Sequence, residues 1–117
     1  MPSIRDVVQA LGSREGVEAV ILLSRDGLTI DAHARNGIDA DSLAARVPPA
    51  VAACQQLGTA AERGGFGMGL VEYEHGLVLV AELTADALLA IFFGSTTNVG
   101  AHLYEFRRHR AAIAKLL

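Results

Sequence analysis

Tryptophan is missing from this chain, aromatics make up 5% of it, and cysteine occurs once, at Cys54. So few flat side chains give nucleobases little to stack on. A net charge of −3 and a pI near 5.7 supply no basic footprint for phosphates, so nucleic acid is excluded as the main partner. A lone cysteine makes no internal disulfide and suits a reducing compartment. No apolar run approaches the roughly 20 residues of a membrane span. The start, Met1-Pro2-Ser3-Ile4-Arg5-Asp6, lacks the apolar core of a signal peptide. These absences predict a cytoplasmic protein. Internal repeats and low-complexity segments are also missing.

Apolar residues are plentiful, at 51%, and charged ones make up 20%. That balance favours a packed core over disorder. With 117 residues the expectation is a single domain spanning 1–117. A mean hydropathy of +0.34 is high for a monomer and points to surface closed by a second copy.

The centre of the chain is Leu70 to Leu83. Leu70 and Glu72 alternate with Val71 and Tyr73, the pattern of a half-buried strand. A turn at His75-Gly76 leads into Leu77–Ala81, apolar at every position. Such a strand is covered on both faces. Upstream, Ser3 and Asp6 form a capping pattern for a short helix carrying Ile4, Val7, Val8 and Leu11 on one face, with Gly12 ending it. Val17–Ser24 reads as a strand, Asp26-Gly27 as a two-residue hairpin turn, and Leu28–His33 as a half-polar edge strand. Its expected faces are Leu28, Ile30 and Ala32 against Thr29, Asp31 and His33.

After the turn at Asn36-Gly37, Asp39 or Asp41 can cap a helix. Its stripe is Leu43, Val47, Val51, Cys54, Leu57 and Ala61. Pro48-Pro49 interrupts it and should push Val47 from helical angles. The stripe keeps its phase, which favours one kinked element over two helices. Thr84-Ala85-Asp86 turns into the apolar strand Leu88–Phe93. Gly94–Thr97 is a loop, and Asn98 caps a final helix of about 30 Å. The inner stripe of that helix is Val99, Leu103, Phe106, Arg110, Ile113 and Leu117, with the Arg110 head reaching water. The fold class is α/β (α+β): a three-layer α/β/α sandwich around a five-stranded antiparallel sheet.

Chemistry is sparse. Cys54 sits on an apolar stripe and reads as a small hydrophobe. His33, His75, His102 and His109 have no zinc-site spacing. Gly64-Gly65-Phe66-Gly67-Met68-Gly69 matches neither the dinucleotide nor the P-loop pattern, and it precedes a strand. Glu72, Glu74 and Glu82 read as solvated charge. No catalytic, metal or cofactor residue emerges, and an enzyme is not expected. Two surfaces stand out. Arg107, Arg108, Arg110 and Lys115 either complement the last helix's C-terminal dipole or dock an acidic partner. Ala45, Pro49, Ala52, Gln56 and Thr59 form a small, uncharged second face on the proline-interrupted helix, open to close approach.

Gly16-Val17-Glu18-Ala19-Val20-Ile21-Leu22-Leu23-Ser24-Arg25-Asp26-Gly27-Leu28 resembles the opening signature of the roadblock / dynein light chain family. The alanine-rich helix, the central hairpin, the Leu88–Phe93 strand and the helix opened by Asn98-Val99-Gly100 follow in the same order. Leu103 to Arg110 is most similar to bacterial members of the MglB type. The resemblance implies a roadblock/profilin-like fold and a homodimer whose second helices pack together. It implies that the strand entered through Gly67, Met68, Gly69, Leu70 and Val71 pairs across the two-fold axis. It further implies a partner, a small Ras-like GTPase, bound through the second-helix surface at Ala45, Pro49, Ala52 and Gln56, with GTP hydrolysis modulated by repositioning the GTPase's own residues. No arginine finger is carried over, so neither Arg25 nor Arg63 receives a catalytic role. The alternatives are a dimeric adaptor without effect on hydrolysis, and a small-molecule sensor, which requires a sizeable internal pocket.

Overall fold

The computed structural model describes residues 3–95 and 98–117; Met1, Pro2, Thr96 and Thr97, with the parts of the N-terminal and Gly94–Thr97 readings that fall on them, lie outside the described residues. The elements are α1 (Ile4–Gly12), β1 (Val17–Ser24), β2 (Thr29–Ala34), α2 (Ala40–Ala44), α3 (Val47–Ala60), β3 (Met68–Tyr73), β4 (Gly76–Thr84), β5 (Ala87–Phe93) and α4 (Val99–Ala114). The strands form one antiparallel five-stranded sheet in the order β2-β1-β5-β4-β3. This is the expected sandwich. The three central strands are the most apolar in sequence, and the two edges are β2 and β3.

Alternation in the central strands sends side chains into two cores. On one face Val20, Leu22, Leu79, Leu89 and Ile91 pack with Val8 of α1 and Phe106 and Ile113 of α4. On the other, Ile21, Leu23, Val80, Leu88 and Ala90 meet Ala44 of α2 and Val47 and Val51 of α3. No polar or charged side chain is buried among the described residues. Each fully buried aliphatic or aromatic side chain contributes about 1.5–3 kcal/mol.

The helix starts are set as the sequence suggests. Asp6 N–H donates to Ser3 Oγ at 3.2 Å, and Ser3 N–H donates to Asp6 Oδ2 at 2.9 Å, a complete capping box. Gly12 is the last helical residue of α1 rather than its stop, which is Ser13. Asp39 caps α2 by accepting from Ser42 N–H at 3.2 Å. Asp41 instead accepts from the Thr29 hydroxyl at 2.7 Å, tying α2 to β2. Asn98 caps α4.

Several local expectations are corrected. The two prolines divide the second helix into α2 and α3 instead of kinking one element. Pro48 and Pro49 have no N–H to donate to the carbonyls of Ala44 and Ala45, so the ladder ends there. Arg46 N–H closes the turn on Leu43 O at 3.0 Å, a tighter step. Val47 stays helical as the first residue of α3, with the prolines in the opening turn, where a missing donor costs least. The apolar stripe also ends early: Val51 is buried, whereas Leu57 is 70% exposed and Ala61 lies beyond the helix.

The β1–β2 connection is longer than two residues, running through Arg25-Asp26-Gly27-Leu28. Only Gly27 has positive φ, at +87°, and its N–H bonds Ser24 O at 2.9 Å. Register then slips: Leu22 faces Asp31 and Leu23 faces Thr29, leaving Ile30 as the extra residue of a bulge. The slip breaks the expected alternation of β2 and puts Thr29 on the same side as Ala32. The β3–β4 turn sits one residue earlier than expected, at Glu74-His75, with Tyr73 paired to Gly76. Helix α4 has 16 residues, so it is about 24 Å long, and Leu117 lies exposed beyond it.

Candidate functional site

The surface around α3 and β3 combines the features that the sequence singled out. Pro49, Ala52 and Gln56 lie on α3 at steps of three and four, with Thr59 one turn further, and all are exposed. Ala45 is exposed too, but it is the C-cap of α2, across the proline break. The outer row of α3 is therefore neutral, with a shallow depression at Ala52, Gln55, Gln56, Thr59 and Ala60. Such a row lets another backbone come close and offers no charge that must be stripped of water.

Beside it, β3 has a free outer edge. Residues paired across strands share a face. Val71 opposite Val78, and Tyr73 two residues on, lie on the α3 side; Leu70 opposite Leu79 lies on the α4 side. Leu70 and Val71 are each 41% exposed and Tyr73 60%. These three leave the β3 edge with exposed apolar side chains, and Leu57 of α3 is exposed as well. Spacing alone does not mark Tyr73 or Leu57 as surface residues. Its spacing puts Leu57 in the core stripe, but α3 buries only Val47 and Val51, in its first half.

Gly67, Met68, Gly69, Leu70 and Val71 are brought to this edge, with Gly67 just before β3. The Gly67 carbonyl is turned inward, accepting from Glu82 N–H at 3.0 Å and from the Arg110 guanidinium at 3.1 Å. Arg110 also donates to the Glu82 carbonyl. One terminal nitrogen of Arg110 thus bonds two backbone carbonyls, a tie that the expectation of a solvated head does not include. It fastens α4 to the start of β3.

Some of the other charged groups form pairs. Arg25 binds Glu82 at 2.6 Å and donates to the Ala85 carbonyl, joining the β1–β2 and β4–β5 turns. Its Nε and one terminal nitrogen are thereby engaged within the fold. Glu105 accepts from Arg14 at 3.5 Å and lies 3.4 Å from His109. His75 and Glu74 are exposed at the β3–β4 turn. His102 packs its ring 5.1 Å from that of Phe93. Among the described residues no group of three or more His, Cys, Asp or Glu could hold a metal ion, and no helix is long and apolar enough to cross a membrane.

Comparison with solved structures places this geometry among bacterial proteins. Myxococcus xanthus MglB superposes with a TM-score of 0.86 at 20% identity, covering 97% of this chain and 93% of that one. The gliding protein MglB of Thermus thermophilus gives 0.83 at 22% identity, over 97% and 87%. Two uncharacterised proteins of Methanocaldococcus jannaschii are each 24% identical over 106 residues, 91% of this chain and 90% of theirs. The Roadblock/LC7 domain model matches residues 4–93. By that match, together with the five-stranded sandwich, the chain belongs to the Roadblock/LC7 family.

Proposed function

We propose that this chain is a non-enzymatic, homodimeric regulator that docks a small Ras-like GTPase on the outer row of α3 and modulates its GTP hydrolysis. The observation that carries the reading is the pairing of a neutral, small-residue helix face with an open, apolar strand edge on an MglB-like fold. The edge of β3 joins the two copies, and the α3 faces, brought near the two-fold axis, receive the GTPase. Because the chain brings no arginine finger, it acts by holding the GTPase's own residues in a productive arrangement.

The test is a hydrolysis assay with the Ras-like GTPase encoded nearest to this chain, using wild type and Ala52→Arg. Ala52 is exposed, so the substitution leaves the fold intact. Wild type should bind the GTPase and change its turnover; Ala52→Arg should do neither. Unchanged binding by Ala52→Arg would remove α3 as the docking face. Binding without any change of turnover would leave the dimeric adaptor as the function.

A further inference from the structure

A second surface lies on the other face of the sheet, away from α3. Helices α1 and α4 both pack on that face, and between them runs an open cleft of about 500 Å3. Its floor is Val7 and Leu11 of α1 with Phe106 and Ile113 of α4. Ala10 and Ala112 form low, exposed walls that let a further backbone settle in. The volume falls within the range of ligand-binding clefts.

The cleft's shape and charge select its occupant. Its lining follows α4 from Glu105 to the helix end at Ala114, a rise of about 14 Å or two and a half turns, and continues to Lys115 and Leu116 just beyond. That is the footprint of a helix that inserts side chains at i, i+4 and i+7. The rim is cationic. Glu105, the one acid there, is already held by Arg14 and close to His109. Lys115 makes no ion pair among the described residues, and neither does Arg108. Arg108 and Ala112 of α4 and Lys115, its C-cap in helical conformation, are spaced i, i+4, i+7, so two free cations flank the low wall. Of the late basic cluster, Arg110 serves the fold and Lys115 serves this rim.

We propose that the α1–α4 cleft receives an amphipathic helix with acidic flanks from another protein. Apolar side chains of that helix fill the floor, and its carboxylates meet Lys115 and Arg108. Lying on the face opposite α3, the occupant leaves GTPase docking unobstructed, so the two proposals stand or fall separately.

The probes are a short fluorescent peptide helix with leucine at i, i+4, i+7 and i+11 and glutamate on both flanks, its twin with lysine flanks, and oleate. Each is titrated against the full chain by anisotropy or displacement. The glutamate peptide should bind at least about tenfold more tightly than its twin. Ala112→Arg should abolish that binding, and Lys115→Glu should erase or invert the preference; both positions are exposed, and unchanged thermal melts would confirm intact folds. Equal binding of the two peptides, or full binding to Ala112→Arg, would overturn the proposal. Saturable oleate binding with neither peptide bound would also overturn it and make the cleft a lipid site.

Discussion

Gly76 is the position with the least room for change. A Cβ there would lie 2.3 Å from the Phe93 carbonyl oxygen, and the residue's φ is +150°. The obstacle is backbone of the paired strand, which cannot swing aside. Gly76→Ala should cost roughly 1–3 kcal/mol in chemical denaturation. Gly65→Ala, where an added Cβ meets nothing within 4 Å, should stay within about 0.5 kcal/mol. Asp6 makes a second prediction. Bonds from the Ser3 backbone N–H and then the Ser3 side chain hold its carboxyl below the usual value, outweighing a small opposing effect of burial. A carboxyl lowered in the folded state adds stability above its unfolded pKa, about 3.9, and loses it as pH falls through the folded value. The stability difference between wild type and Asp6→Asn should therefore shrink steadily as acid is added below about pH 4. A constant difference in unfolding midpoint across that range would contradict the assignment.

Among the elements, strands were more legible than the helix break. Val17–Ser24 was readable to the residue because β-branched content and length agree. The prolines were visible, but periodicity does not separate a bend from a break: either keeps Leu43, Val47 and Val51 on the same side. The lost donors at Pro48 and Pro49 decided it. Ile30 shows another limit, since a bulge arises from pairing with β1 and leaves no mark in the alternation itself. The spacing of Arg110 shows only that it faces inward, not that the carbonyls of Gly67 and Glu82 lie within its reach. This tie yields a prediction about β3. Arg110→Met keeps the stem but removes the donors to Gly67 and Glu82. It should destabilise the fold by about 1–3 kcal/mol and speed amide exchange at Met68 and Gly69 ahead of β1. Exchange that rises equally in both strands would show that Arg110 has no special hold on the edge.

For the molecule as a whole, the candidate site was legible in its residues but not in its assembly. Pro49, Ala52 and Gln56 could be grouped from helical spacing alone. That Ala45 belongs to another helix follows from the proline break, and that Leu57 and Tyr73 are exposed follows from packing that spacing does not show. The β3 edge also carries the proposed pairing of two copies. Val71→Lys places a charge at the middle of the free edge, a substitution that discourages strand addition. Light scattering should then report a monomer for the variant and a dimer for wild type, with the far-ultraviolet spectrum unchanged. A wild type that is monomeric at high concentration would refute the dimer.

The bulge at Ile30 bears on what happens once such a pair exists. Strand β2, at the opposite rim, is pulled out of regular pleat there and carries Asp31 and His33 further along. A kinked, partly polar rim is a poor template for a newcomer. Stacking through β3 would consume the regular border of each subunit and leave the bulged ones outermost, so a pair formed that way would carry its own terminator against growing into fibres.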